Sequence, residues 1–133
     1  MAANLLVALW GAVAWFARRP SVSFWYALRA AQATVVVQVA LGALLLAAGR
    51  EAEEGLHYMY GAGALVVNLV AEGMRVNAAQ HEVGDLQFEA LGAGEQRAIA
   101  LRIVRREMMI MSLAALLVVI FAVRAGQSSG ELF

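Results

Sequence analysis

Histidine and carboxylate side chains are the first residues of this chain whose spacing could do chemistry. Glu54 and His57 are three positions apart, which is the spacing that di-iron helical proteins use for two of their ligands. Such a centre needs a second motif of the same kind and two further carboxylates. The second motif is missing, and Gly55 lies inside the first. We therefore expect no metal site around His57.

Nucleophilic chemistry has no better support. The chain contains no Cys, which excludes disulfides, thiolate metal sites and thiol catalysis. Ser112, Ser128 and Ser129 have no base near them in the sequence, and His81 has no carboxylate or second His in a ligand spacing. No catalytic residue is predicted, and an activity other than catalysis is the favoured interpretation.

One polar stripe on a predicted helix is the most informative pattern. Its members recur every three or four residues and so share one helical face: His57, Gly61, Ala64, Asn68 and Glu72. Large apolar residues occupy the other faces. In a membrane helix such a stripe faces protein or water, because exposing it to lipid is costly. It is interpreted either as packing contacts between helices or as a pocket for a ligand or cofactor, bounded by His57 and Glu72.

Glu72 needs a cation on either interpretation. A turn centred between Gly84 and Gly94 would set it level with residues 104–106, so Arg105 or Arg106 is the expected partner, with Arg75 as a local alternative. On the preceding helix, Gln38 lies between Thr34 and Gly42 at four-residue spacing, and its amide can bond across helices. The predicted structural polar core is Gln38, Asn68, Glu72, Arg105 and Arg106.

The elements that position these residues are four apolar runs. They cover residues 2–17, 30–48, 56–72 and 107–124, each close to the roughly 20 helical residues that a bilayer requires. We predict an all-α fold: an integral membrane four-helix bundle forming a single transmembrane domain over residues 1–133. Helical periodicity continues past the third run and resumes at Glu95, so the third and fourth helices should extend into the cytoplasm as a hairpin with its loop at about 76–101.

Composition and charge agree with a membrane protein. The chain is 62% hydrophobic and 15% charged, with all ten cations Arg and a net charge of zero, so no nucleic-acid partner is expected. Residues 18–29 hold three Arg and residues 75–106 hold five, against one Arg in the loop 49–55. By the positive-inside rule, both Arg-rich segments lie in the cytoplasm and both termini lie outside. The expected location is the bacterial cytoplasmic (inner) membrane, crossed several times.

The segment 38–58 carries a family resemblance. Gln38-Val39-Ala40-Leu41-Gly42, followed by Leu56-His57-Tyr58 at the head of the next helix, resembles a helix pair of heme A synthases. The resemblance implies that His57 matches a heme-ligating His near the outer membrane face. That family carries paired His on neighbouring helices and a chain about twice as long, and here no other predicted span contains His.

Two functional hypotheses follow. The first is a non-enzymatic accessory or assembly protein without a cofactor, whose partners are the lipid bilayer and other membrane subunits or further copies of itself. The alternative is a b-type heme or quinone redox membrane protein with His57 as axial ligand. His57 and His81 are 24 residues apart, or ~36 Å along a helix, so two-histidine ligation would require two chains, or an axial Met such as Met59 from a second chain.

Overall fold

The computed structural model describes residues 1–17, 19–50, 55–84 and 88–128. Over these ranges it contains no strand, and its elements are four α-helices and one short 3-10 turn, Phe88–Ala90. The helices are, in chain order, α1 (Ala2–Phe16), α2 (Val22–Ala47), α3 (Leu56–Val83) and α4 (Ala93–Ser128). The predicted all-α fold is confirmed. The expectations that involve Arg18, Glu54, Asp85 and Ser129 fall outside the described residues.

Local signals explain where the helices begin and end. The Ser21 hydroxyl accepts a hydrogen bond from the Phe24 amide at 3.3 Å and caps α2. Gly84 ends α3 with a φ of +47°, a backbone conformation that side chains with a Cβ disfavour. α4 begins at Ala93, two residues before the predicted start at Glu95, whose carboxylate accepts a hydrogen bond from the Gly92 amide at 3.3 Å.

α3 and α4 pack side by side in opposite directions and form the largest interface of the molecule. α1 packs mainly against α4, and α2 makes smaller contacts with α1 and α3. With 36 residues, α4 is ~54 Å long. The antiparallel α3–α4 pair agrees with the predicted hairpin, although α3 and α4 meet in a different register, described below.

The main core lies where α1, α2 and α4 meet. Its largest fully buried side chains are Phe24, Leu28, Met108 and Met111. Gly11 permits this close approach, because a Cβ at that position would overlap the Ser112 hydroxyl and lie 2.6 Å from the Phe24 ring. Met108 and Met111 fill packing space in this core.

A smaller core joins α2 to the α3–α4 pair. It contains Val35, Ala64 and Val118, with Val39 and Phe121 packed against it. Beyond Val39, every residue of α2 is exposed except Gly42, which is half-buried. The last third of α2 therefore has few neighbours within the chain.

Two of the described helices, α2 and α4, are long and apolar enough to cross a membrane by length and composition. α1 is apolar but has only 15 residues. Many large apolar side chains on the outside of the molecule are exposed, among them Leu6, Val13, Leu44 and Leu69. An exterior of this kind is typical of a surface that meets lipid or another protein.

Candidate functional site

The polar stripe of α3 lies on the packed side of that helix. Ala64 and Asn68 are buried, while His57, Gly61 and Glu72 are half-buried. The Asn68 amide donates to the Ala64 carbonyl at 3.2 Å. Asn68 was predicted to belong to a polar core between helices, but its amide bonds one turn back within α3.

Glu72 is the centre of an ion network between α2 and α3. Its Oε1 accepts hydrogen bonds from Arg29 Nη1 and from Gln32 Nε2, the latter at 3.0 Å. Its Oε2 accepts from Arg75 Nε at 2.9 Å. The local alternative Arg75 is thus a true partner, but the predicted partners Arg105 and Arg106 are wrong, and Arg29 and Gln32 take their place.

Arg75 carries this network to α4. Its Nη1 lies 3.5 Å from Glu107 Oε1, and its guanidinium lies over the Trp25 ring at 5.8 Å from the ring centre. Glu107 is only 9% exposed, so a nearby cation is needed to balance it. Two carboxylates and two arginines form these ion pairs, and we call them the four-residue ion network: Arg29, Glu72, Arg75 and Glu107. It is charge-balanced and connects three helices.

Arg106 belongs to a second ion cluster farther along the α3–α4 pair. Its Nη1 lies 3.4 Å from Glu82 Oε1, and Arg102 Nε lies 3.4 Å from Glu82 Oε2. Arg105 instead lies over the Trp15 ring of α1. The predicted register was wrong because α3 and α4 do not meet symmetrically about the middle of the stretch between Gly84 and Gly94.

The four-residue ion network joins helices through hydrogen bonds and ion pairs. Each Glu72 oxygen is already engaged by a guanidinium, and Gln32 adds a third donor. Charge-assisted bonds of this kind fix the relative position of helices. Arg29 was missed in the sequence because it is 43 residues from Glu72, and its role depends on how α2 lies against α3.

His57 lies at the beginning of α3, against the end of α4. Its Nδ1 is 3.2 Å from the Ala125 carbonyl oxygen, and its ring meets the Tyr58 ring edge-on. If Nδ1 carries the proton and donates to this carbonyl, the lone pair is on Nε2. In the part of the chain that the structure describes, no group of three or more His, Asp or Glu side chains could hold a metal ion. His81 is exposed near the other end of α3.

Gln38 is the predicted polar residue whose position differs most from expectation. It lies in the apolar part of α2 and is exposed, and no hydrogen bond joins its amide to any described side chain or backbone group. It is therefore not part of a polar core within this chain. Thr34, one turn earlier, is also exposed, but its hydroxyl bonds back to the Ala31 carbonyl at 2.7 Å.

Leu41 and Leu45 extend the side of α2 that carries Gln38. They follow it by three and seven residues, so all three share one side of the helix, and the two leucines are 54% and 49% exposed. We call Thr34, Gln38, Leu41 and Leu45 the outer face of α2. In the most apolar stretch of α2, 11% of the residues are buried within the structure, whereas 33% are buried in the most apolar stretch of α4.

Comparisons with protein-family models, with curated proteins and with solved structures found no match in any of the three.

Proposed function

We propose that this chain is a non-enzymatic integral membrane accessory or assembly protein of the bacterial cytoplasmic membrane, and that it associates with a second copy of itself through the outer face of α2. The observation that carries the proposal is the exposed Gln38 amide in a helix that is long and apolar enough to cross a membrane. The proposal has two parts, the membrane topology and the self-association.

Topology is supported by the distribution of arginines. Eight of the ten Arg lie in residues 18–29 and 75–106. These two segments contain the α1–α2 and α3–α4 connections and the helix ends next to them. The Arg-rich ends of short-looped membrane proteins face the cytoplasm. In the proposed arrangement all four helices cross the membrane, both termini are outside, and the four-residue ion network lies at the cytoplasmic boundary.

Self-association is supported by the cost of leaving an amide in lipid. Hydrocarbon offers no hydrogen-bond partner, so an exposed amide at membrane depth favours contact with another helix. Interhelical hydrogen bonds of this kind contribute roughly 0.6–2 kcal/mol in membranes. The half-buried Gly42 allows a neighbouring backbone to come close, because nothing lies within 4 Å of where its Cβ would be.

A second copy is the occupant that this chemistry favours. The Gln side chain has both a donor and an acceptor, so two copies related by a two-fold axis can satisfy each other with one residue. Two-fold dimers are also the commonest symmetric assemblies. Assembly through α2 leaves the ion network and the α3–α4 interface unchanged within each chain.

Cysteine cross-linking in native membranes tests the proposed interface, and the absence of natural Cys makes every thiol assignable. Leu41→Cys and Leu45→Cys should form disulfide-linked dimers under mild oxidation. Ala40→Cys is the matched control, because it is exposed and lies two residues from Gln38, about 200° around the helix. Equal cross-linking at all three positions, or none at 41 and 45, would reject this interface.

Heme binding is the second candidate, and one observation favours it. Histidines that ligate metals generally donate a hydrogen bond from their other ring N–H to a carbonyl or carboxylate, and His57 Nδ1 lies 3.2 Å from the Ala125 carbonyl oxygen. His57 fits as one axial ligand through Nε2. His81 is 24 residues farther along α3, or ~36 Å, so a second His ligand would have to come from another chain.

Absorbance spectroscopy of the purified protein tests the heme candidate. Its reduced form should show the sharp visible bands of a low-spin b-type heme, with one heme per two chains, and His57→Ala should abolish them while His81→Ala leaves them unchanged. A protein without a Soret band after expression with added heme would exclude the candidate. That result would leave the assembly proposal standing on its cross-linking test.

A further inference from the structure

A cleft lies between the end of α1 and the first half of α4. It has a volume of about 210 Å³, and its walls combine apolar side chains with arginines. Trp15, Leu101, Val104 and Met108 line the apolar part. The cleft is separate from the four-residue ion network, none of whose members lines it.

Three arginines line this cleft: Arg19, Arg102 and Arg105. Arg102 shares Glu82 with Arg106. No described carboxylate lies within ion-pair distance of Arg19 or Arg105, both of which are exposed. The cleft therefore has an excess of positive charge.

Trp15 connects the charged and apolar parts of the cleft. The Arg105 guanidinium lies over its ring at 5.6 Å from the centre, and the ring is half-buried. Tryptophan is enriched at the level of lipid headgroups because its ring is apolar and its N–H is polar. The apolar stretch of α4 begins at Met108, which also lines the cleft. Arg105 thus precedes the apolar part of α4 by about one turn.

We infer that this cleft binds the headgroup of an anionic phospholipid, with the phosphate between Arg19 and Arg105 and an acyl chain along Trp15 and Met108. Guanidinium groups suit phosphate because their N–H donors match two phosphate oxygens at once. The mixed lining favours an amphiphile over a free ion, since the apolar walls add nothing to the binding of inorganic phosphate. The inference rests on the proposed membrane location of the chain.

Tryptophan fluorescence in reconstituted vesicles provides the test. With Trp10 and Trp25 replaced by Phe, Trp15 is the one remaining reporter among the three tryptophans. Vesicles of phosphatidylcholine are compared with vesicles that also contain phosphatidylglycerol, with bromine on the acyl chains of either lipid. The ratio of Trp15 quenching by brominated phosphatidylglycerol to quenching by brominated phosphatidylcholine gives the preference of the cleft for the anionic headgroup.

The expected result is a preference for phosphatidylglycerol that falls about fivefold in Arg105→Gln and in Arg19→Gln, as for one arginine near an anionic surface. Arg97→Gln is the matched control, since Arg97 is an exposed cation of α4 that does not line the cleft, and it should keep the preference. An equal loss in Arg97→Gln would mean a diffuse electrostatic attraction and would overturn the inference.

Three further outcomes would also overturn it. Inorganic phosphate that abolishes the preference, when chloride at the same ionic strength does not, would identify a site for free phosphate. Absence of quenching by either brominated lipid would place Trp15 away from lipid, which would refute the membrane location itself. Quenching by both lipids without preference rejects only the headgroup site.

Discussion

Replacing Glu72 with Ala removes the carboxylate that joins α2 to α3. Three donors lose their acceptor: Arg29, Gln32 and Arg75. Arg75 keeps Glu107 at 3.5 Å, and the side chain of Arg29 is 52% exposed, so water can replace part of what is lost. Each neutral or screened contact contributes about 0.5–1 kcal/mol. We therefore expect a loss of about 2 kcal/mol, less than the 3–5 kcal/mol of a fully buried pair.

Thermal unfolding of the detergent-solubilised protein measures this loss. A change of this size should lower the melting temperature by about 6 °C. Glu89→Ala is the control, because Glu89 is exposed and outside the ion network, and it should melt like the parent. A double-mutant cycle of Glu72→Ala with Arg75→Gln should give a coupling of about 1 kcal/mol, whereas the cycle with Arg106→Gln should give almost none. Coupling to Arg106 and none to Arg75 would refute the α3–α4 register described above.

Two further predictions concern packing and topology. Gly11→Val should destabilise the protein by about 1–3 kcal/mol through overpacking against Ser112 and Phe24. Gly73→Val is the control and should not destabilise it, because nothing lies within 4 Å of a Cβ at that position. Equal melting temperatures of the two variants would contradict the close approach of α1 to α4. In intact cells, Cys at position 48 should react with an impermeant maleimide and Cys at position 89 should stay unlabelled, and the reverse pattern would overturn the orientation.

The helices could be predicted from the sequence because their signals are local. Apolar runs and periodicity depend on neighbouring residues, and Gly84, one of the two glycines between which the turn was expected, ends α3. The face of α3 that packs was also predictable, since Ala64 and Asn68 are buried. Amphipathic periodicity identifies the face of a helix that is packed without identifying the helix that packs against it.

The partners of the polar residues could not be predicted, because they depend on tertiary register. Glu72 takes Arg29 from another helix instead of Arg105 or Arg106, since neither the tilt of α2 nor the offset between α3 and α4 follows from spacing. Asn68 bonds within its own helix because the carbonyl four residues earlier is always within reach. Gln38 shares a helical spacing with Thr34, yet spacing does not show whether that side faces its own chain or another.

Resonance energy transfer between labelled copies in vesicles measures self-association through α2. Protein labelled through Cys at position 89, far from α2 in the sequence, is diluted with lipid until transfer falls to half. Gln38→Leu should dissociate at a higher protein-to-lipid ratio than the parent, by about threefold to thirtyfold for an interhelical bond of roughly 0.6–2 kcal/mol. Gln80→Leu, an exposed amide of α3 outside the outer face, should dissociate like the parent. Transfer that is unchanged in Gln38→Leu, or absent in the parent at every dilution, would refute self-association through α2.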